Sequence, residues 1–565
     1  TLDLEGDFTL ASSGTFTAQG GTHDVAGAWD DANGTFQATE GTVTLSGNSK
    51  DITTGGSNYF FNLAIGAGTK EAESALDVNG TLTITGGTLD MKASEDNTLD
   101  LEGDFTLASS GTFTARSGSH DVAGVWDDAG GTFQATEGTV TLSGNNKDIT
   151  TGGSNYFFNL AIGAGTKEAE SALDVNGTLT ITGGTLDMKA SEDNTLDLEG
   201  DFTLASSGTF TAQGGTHDVA GAWDDANGTF QATEGTVTLS GNSKDITTGG
   251  SNYFFNLISI GDKTILSELD INGDLTVSSG ELAMGANNAD VATSKTVDCD
   301  GTISLSTGIF TANGPSDFTN GTLSISGTGT YDADNTFTAA SGNITFSGAG
   351  FLKCNNTVSD LGALTTSAGT VVYDGASTQS IVTDNYFNLT IDQSGTKQAS
   401  GTLNIDGDLT VSNSAVFDIN GQSVDVAGSW DDANGTFQAT GGTVTLSGNS
   451  KDITTGGSNY FFNLAIGAGT KEAESALDVN GTLTITGGTL DMKASEDNTL
   501  DLEGDFTLAS SGTFTARSGS HDVAGAWDDA NGTFQATEGT VTLSGNSKDI
   551  TTGGSNYFFN LISIG

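Results

Sequence analysis

The sequence repeats itself almost letter for letter over a long period. The string Thr-Leu-Asp-Leu-Glu-Gly-Asp opens at Thr1, Thr98, Thr195 and Thr499, and a looser version, Thr-Leu-Asn-Ile-Asp-Gly-Asp, opens at Thr402. The period is 97 residues, because 98 − 1, 195 − 98 and 499 − 402 all give it. The first two units differ at six positions: Gln19/Arg116, Gly20/Ser117, Thr22/Ser119, Ala28/Val125, Asn33/Gly130 and Ser49/Asn146. Tandem copies this similar present one surface many times over, as repeat architectures do, whereas an enzyme needs one unique constellation. The expectation is a non-catalytic object built for length, with units 1–97, 98–194, 195–295, a divergent 296–401, 402–498 and a truncated 499–565 in one continuous stack.

A shorter rhythm runs inside each unit. Leu2-Asp-Leu-x-Gly6-x-Phe8 matches His23-Asp-Val-x-Gly27-x-Trp29 and Leu76-Asp-Val-x-Gly80-x-Leu82, with apolar residues in every second place. That period belongs to a strand with one buried face. The marker glycines Gly6, Gly27, Gly47, Gly80 and Gly103 are 21, 20, 33 and 23 residues apart. Short strands between glycine turns at this spacing predict a right-handed parallel β-helix with ~20–24 residues per coil and four or five coils per unit. The long interval must hold an extra coil or an excursion, and Gly66 to Ala75, carrying Lys70, Glu71 and Glu73, reads as the loop. The competing architecture is a string of immunoglobulin-like β-sandwiches, which the unit length and the single tryptophan of each unit outside 296–401 also fit.

Composition removes several function classes. Seventeen basic against 72 acidic residues give a formal charge of −55, which opposes binding to nucleic acid. No apolar run approaches the ~20 residues of a membrane helix, so no membrane insertion is expected in this segment. Two cysteines, Cys299 and Cys354, build no disulfide framework; Cys299 stands where Leu4 stands in the first unit and reads as a buried apolar substitute. Few lysines and many Thr, Ser, Asn and Gly, with heavy negative charge, point to an extracellular or cell-surface protein.

The strings Gly80-Thr-Leu-Thr-Ile-Thr-Gly-Gly-Thr-Leu-Asp and Tyr59-Phe-Phe-Asn-Leu-Ala-Ile resemble the β-strand-repeat segments of very large bacterial surface proteins, the right-handed β-helix stalks of adhesins and autotransporter-like exoproteins. The resemblance covers nearly the whole chain and implies export, surface display and structural or adhesive work. No translocator, anchor or adhesive tip is visible. Asp121 to Gly261 recurs as Asp425 to Gly565, so the natural protein is expected to continue past Gly565 with a segment like that following Gly261.

Among individual residues, His23, His120, His217 and His521 occupy one equivalent place, filled by Val424 in another copy, and read as packing residues. Trp29, Trp126, Trp223, Trp430 and Trp527 read as core residues; exposed, they and the Lys70 loop would instead grip a glycan. Aspartates between two inward residues should line up outward in the triplets Asp77, Asp100, Asp121, then Asp174, Asp197, Asp218, then Asp478, Asp501, Asp522. Carboxylates ~5 Å apart repel by roughly 1 kcal/mol in water, so calcium, an oxygen-seeking cation, is the metal candidate beside a merely solvated acidic face. No cofactor is required. Asp30-Asp31-Ala32-Asn33-Gly34 reads as a turn. A polysaccharide lyase is the remote alternative; it needs a base, and the two arginines, Arg116 and Arg517, are replaced by Gln19 and Gln213 in other copies. The expected role is the shaft of a surface fibre, sheath or adhesin that self-associates into fibres or bundles, with a glycan-binding or surface-binding adhesin module as the alternative.

Overall fold

The computed structural model describes residues 1–92, 97–191, 194–365, 367–493 and 498–564, so the last residue of the sixth unit lies outside the described residues. The chain divides into two compact units, Thr1–Leu282 and Ala283–Gly565. Both are all-β and have no helix among the described residues; their short strands stack in parallel as a β-solenoid of about 28 turns in all. A sandwich of antiparallel strands is therefore excluded.

In the first unit one face is the column Leu2, His23, Val43, Leu63, Leu82, Phe105, Trp126, each paired in register with the next. A second face carries Phe8, Trp29 and Ile52, and a third carries Leu76, Leu99, His120, Val140, Leu160, Leu179, Phe202 and Trp223. Phe105–Leu107, Thr112–Thr114 and Ser119–Val122 make one coil before Trp126 returns to the first face. The second unit is built alike: Phe310, Tyr331, Leu352, Val371, Leu389, Leu409 and Trp430 form one column straight through the divergent segment. Architecture persists there because any apolar residue at the inward place of an alternating strand suffices to fill the column.

Burial follows the alternation. Leu99 and Leu101 are buried and Asp100 between them is exposed. Aromatic rings stack along the interior, with Phe105 and Trp126 centroids 4.3 Å apart and Trp126 touching Phe133 edge-on at 4.9 Å, a geometry worth ~0.5–1.5 kcal/mol per pair beyond area burial.

The long repeat and the coil are out of step. Among the described residues, 13 strands and the single bridging residue Phe157 lie from Leu99 up to Leu196, making 14 wall positions. At three per coil this is 14/3, or 4⅔ coils. Successive copies are consequently displaced by one face: Trp29, Trp126 and Trp223 stand on the second, first and third faces respectively. The lateral patch that each copy repeats is therefore set on a different face in each of the first three copies. Each residue of the repeat must suit all three faces, which a coil with three equivalent apolar walls permits. Deleting residues 98–194 joins Asn97 to Thr195, reproducing a native junction. The shortened protein is expected to fold with an unchanged circular dichroism signal per residue, and loss of that signal would show that the faces are not interchangeable.

The segment from Gly66 to Ala75 is not a loop. Gly68–Ala72 is a strand, pairing with Lys50–Thr53 on one side and Gly87–Asp90 on the other. It forms part of the extra coil that the 33-residue interval left open. Lys70 points inward and is 0 % exposed.

Candidate functional site

The acidic rows are in register. Asp100 lies between Asp77 and Asp121 on the third face, Asp197 between Asp174 and Asp218, and Asp501 between Asp478 and Asp522. Each middle aspartate is exposed and its neighbours are half-buried. Thr141, Thr238 and Thr542 end the rows. Burial, then the neighbouring Asp100 and Glu102, holds the Asp77 carboxyl above the usual carboxylate range. Asp174 and Asp478 are raised likewise, by burial and then by Asp197 with Glu199 and Asp501 with Glu503. Not every carboxylate faces solvent alone: Asp218 accepts a hydrogen bond from Ser240 Oγ at 2.5 Å.

A tighter cluster escaped the sequence reading. Carboxylate oxygens of Asp51, Glu71 and Glu73 lie within 4.8 Å of one another, as do those of Asp148, Glu168 and Glu170 and of Asp452, Glu472 and Glu474. They meet because the supposed loop is a strand that sets Glu71 beside Asp51. Each cluster already has a cation: Lys92 pairs with Glu73, Lys189 with Glu170 and Lys493 with Glu474. Calcium needs about six to eight oxygens around it. A row of one carboxylate per coil on a flat wall supplies ligands from one side only, and the wall's carbonyls are engaged in the ladder, so the rows fit a surface counter-ion better than a closed calcium site.

The tryptophans are buried, each 1 % exposed, and each is tied to a polar node. Trp126 Nε1 donates to Asp128 Oδ2 at 2.8 Å, while Asp128 Oδ1 accepts from Gly152 N at 2.7 Å and Asn155 Nδ2 at 2.8 Å. Asn155 Oδ1 in turn accepts from Phe133 N at 3.0 Å. Burial pushes the Asp128 carboxyl up while Asn155, Gly152 and Trp126 pull it down. The equivalent aspartates Asp31, Asp225, Asp432 and Asp529 are 0–1 % exposed and make the same bonds. The second aspartate of the turn motif is thus an interior anchor, and its partner is an asparagine of the following coil. Repetition of Gly-Gly-Ser-Asn-Tyr around Asn58, Asn155, Asn252, Asn459 and Asn556 was the available signal.

Other singled-out side chains are structural in placement. His120 Nδ1 accepts from Leu99 N at 3.2 Å and Nε2 faces Ala115 O at 2.7 Å, which fixes the neutral Nε2–H tautomer; His217 and His521 repeat this. His23 is 7 % exposed. Burial lowers the pKa of His120, His217 and His521. An unfolded histidine takes a proton near pH ~6.5 while the buried one resists, so this contribution to stability falls as pH drops below that value. His217→Val, copying Val424, removes the ring that bonds Leu196 N and Ala212 O and is expected to be about 1–3 kcal/mol less stable than the parent at pH 7.5. The deficit should shrink by up to about 1.4 kcal/mol per pH unit below ~6.5, read as a smaller excess of hydrogen exchange over Leu196–Val219 at pH 5 than at pH 7.5.

Lys70, Lys167, Lys263, Lys397 and Lys471 are all interior. Lys70 Nζ donates to the carbonyls of Gly47 and Ala67, and burial lowers its pKa; it cannot reach a glycan, nor can the five indoles. Arg116 clamps Asp90 through Nε and NH2 at 2.7 and 2.5 Å, and Arg517 holds Asp491 in the same way. Gln213 replaces the clamp with one bond to Asp187. Cys299 is buried with a free thiol pushed up to about 12 by burial, and Cys354 is also buried and free. No protein-family model, curated protein or solved structure matches the chain.

Proposed function

We propose that the chain is a non-catalytic structural protein displayed outside the cell, the shaft of a surface fibre, sheath or adhesin. The observation that carries this reading is that near-identical copies are built into stacked coils by one interior scheme, the Trp–Asp–Asn node, which recurs in the five units other than the divergent 296–401. Strand-to-strand hydrogen bonds along the stack and continuous apolar columns resist bending and unravelling together, and each added copy extends the stack without new design. The polar and charged residues that a catalytic reading would enlist are spent on the scaffold: both arginines are clamped on carboxylates, and His120, His217 and His521 are hydrogen-bonded to backbone through both ring nitrogens. The one-face displacement of successive copies favours contacts in several directions over a flat ribbon. Multiplied weak contacts of that kind give avidity. The bacterial adhesin stalk is the family style this reading adopts.

The test is immunogold labelling with an antibody raised against the 565-residue chain. Gold on thin extracellular filaments or a sheath of intact cells is the expected result, and label confined to the cell interior would defeat the reading.

A further inference from the structure

Asn-Gly occurs eleven times in the chain. In ten of these pairs the glycine is pressed between coils, where an added Cβ would lie within 2.6 Å of an atom of the neighbouring coil. Several of those glycines also commit their N–H: Gly34 donates to Asp31 O at 3.1 Å, Gly435 to Asp432 O at 3.1 Å and Gly481 to Phe462 O at 2.6 Å. Asn420-Gly421 is the exception. Both residues are exposed, a Cβ on Gly421 would meet nothing within 4 Å, and Gly421 N has no hydrogen-bond partner among the described residues. The pair forms the middle of a tight turn between the strands Val416–Asp418 and Ser423–Val426, with φ of 51° and 73°. Two positive φ values mark the turn type that Asn-Gly favours. Gln422 N donating to Ile419 O at 2.8 Å and Asn420 N donating to Asp418 Oδ1 at 2.8 Å close it. At the equivalent corner of other copies Arg116, Gln213 and Arg517 tie the turn to Asp90, Asp187 and Asp491 of the coil below. Here Gln398 takes the place of those aspartates and donates to Asp418 instead, so the turn is not clamped to its neighbour.

We propose that Asn420-Gly421 is a self-modification site, at which the folded chain converts its own asparagine to isoaspartate and aspartate while the other Asn-Gly pairs stay intact. The inference goes beyond the structural role and does not depend on it. The Gly421 amide nitrogen gives up its proton to hydroxide and bonds to Asn420 Cγ; the Cγ–Nδ2 bond breaks, and Nδ2 takes a proton from water and leaves as ammonia. Water then opens the five-membered succinimide. Cleavage of the ring bond between nitrogen and Cγ restores the ordinary main chain with aspartate at this position. Cleavage of the bond between nitrogen and the main-chain carbonyl carbon leaves the chain running through Cγ, as isoaspartate. Either product adds one negative charge. A following glycine has no Cβ to obstruct the approach of its nitrogen, so all the Asn-Gly pairs share the local chemistry and the fold decides among them. Ring closure requires the backbone between the two residues to rotate. At Gly421 that rotation costs the bonds of one surface turn, a local opening of the least expensive kind. At Gly34 or Gly435 it drives the glycine against the coil beneath. The extra main-chain methylene of isoaspartate also finds open space at the unclamped turn, so the modified chain keeps its coils.

Peptide mapping by mass spectrometry of the full chain, aged in mildly alkaline buffer, tests this. Conversion at Asn420 is expected to run at least tenfold faster than at Asn33, Asn227, Asn434 and Asn531, with isoaspartate identified by enzymatic carboxyl methylation of the peptide. In urea, where every pair is free, those four should rise to within threefold of Asn420. Circular dichroism of the aged chain should match that of the fresh one. Equal rates across the pairs of the folded chain overturn the proposal, as does faster conversion at a pair inside the stack such as Asn33-Gly34. So does a tenfold advantage of Asn420 that survives in urea, because local sequence and not the open turn would then set the rate. Conversion that only follows loss of the circular dichroism signal overturns it as well.

Discussion

Asp225→Ala is expected to destabilise the coils around Trp223 by about 3–5 kcal/mol, the scale seen when a buried polar network loses the member that its other groups converge on. The carboxylate is 0 % exposed and accepts from Trp223 Nε1 at 2.8 Å, Gly249 N at 2.6 Å and Asn252 Nδ2 at 2.8 Å. Alanine removes the two oxygens that accept these three bonds and leaves Trp223 Nε1 and Gly249 N facing a dry space, at ~1–3 kcal/mol for each unsatisfied group, while Asn252 Nδ2 keeps the backbone carbonyls of Asp225 and Gly228. The cost stays local, because each coil of a solenoid contacts only its neighbours. Hydrogen exchange should therefore speed up from Trp223 through Phe254 while the copy around Trp126 keeps its protection. Asp225→Asn should recover part of the loss, since its carbonyl can still accept although its amide faces donors. Unchanged exchange in Asp225→Ala would show that the node contributes nothing beyond filling space.

This node marks the boundary of what the residues announce by themselves. The solenoid follows from three local facts: alternation in Leu2-Asp-Leu, glycines about 20 residues apart, and strings such as Leu76-Asp-Val and Leu99-Asp-Leu that pair when stacked. Those are one-dimensional patterns, and a solenoid is close to a one-dimensional fold. The outward aspartate rows follow for the same reason, because alternation decides which side chains leave the wall. What eluded sequence reading depended on register across coils of unequal length. Lys70 in Gly-Thr-Lys-Glu-Ala looks like a loop lysine, since nothing local reveals that Gly47 and Ala67 carbonyls wait for its ammonium inside. Asp31 and Asn58 are 27 residues apart and meet only after a full coil and more. The rotation of copies around the faces needed the count of wall positions, which depends on Phe157 acting as a strand of one residue.

The marker glycines carry the second large effect, for a reason different from the turn argument that first picks them out. Gly47, Gly144, Gly241, Gly448 and Gly545 do not occupy the left-handed backbone region; a Cβ on Gly241 would lie 1.7 Å from the carbonyl oxygen of Ala220 and 2.7 Å from its carbon. Glycine is required there because one coil rests its backbone directly on the next. Gly241→Ala must push two coils apart where ladder hydrogen bonds fix their spacing at ~4.8 Å, and neither side can yield by rotating a side chain. A loss of about 3 kcal/mol or more is expected, at the upper end of overpacking costs. Gly250 is the matched control, because a Cβ there meets nothing within 4 Å, and Gly250→Ala should stay within about 0.5 kcal/mol of the parent. Hydrogen exchange of Ser240 N, which donates to Val219 O at 3.0 Å, reads the difference at the contact itself. If both variants behaved alike, close approach between coils could not be what reserves these positions for glycine. The contrast also explains why the repeat has drifted so little at them: an outward residue can change with small consequence, as Gln19 and Arg116 show, but a residue pressed between two backbones has no larger replacement.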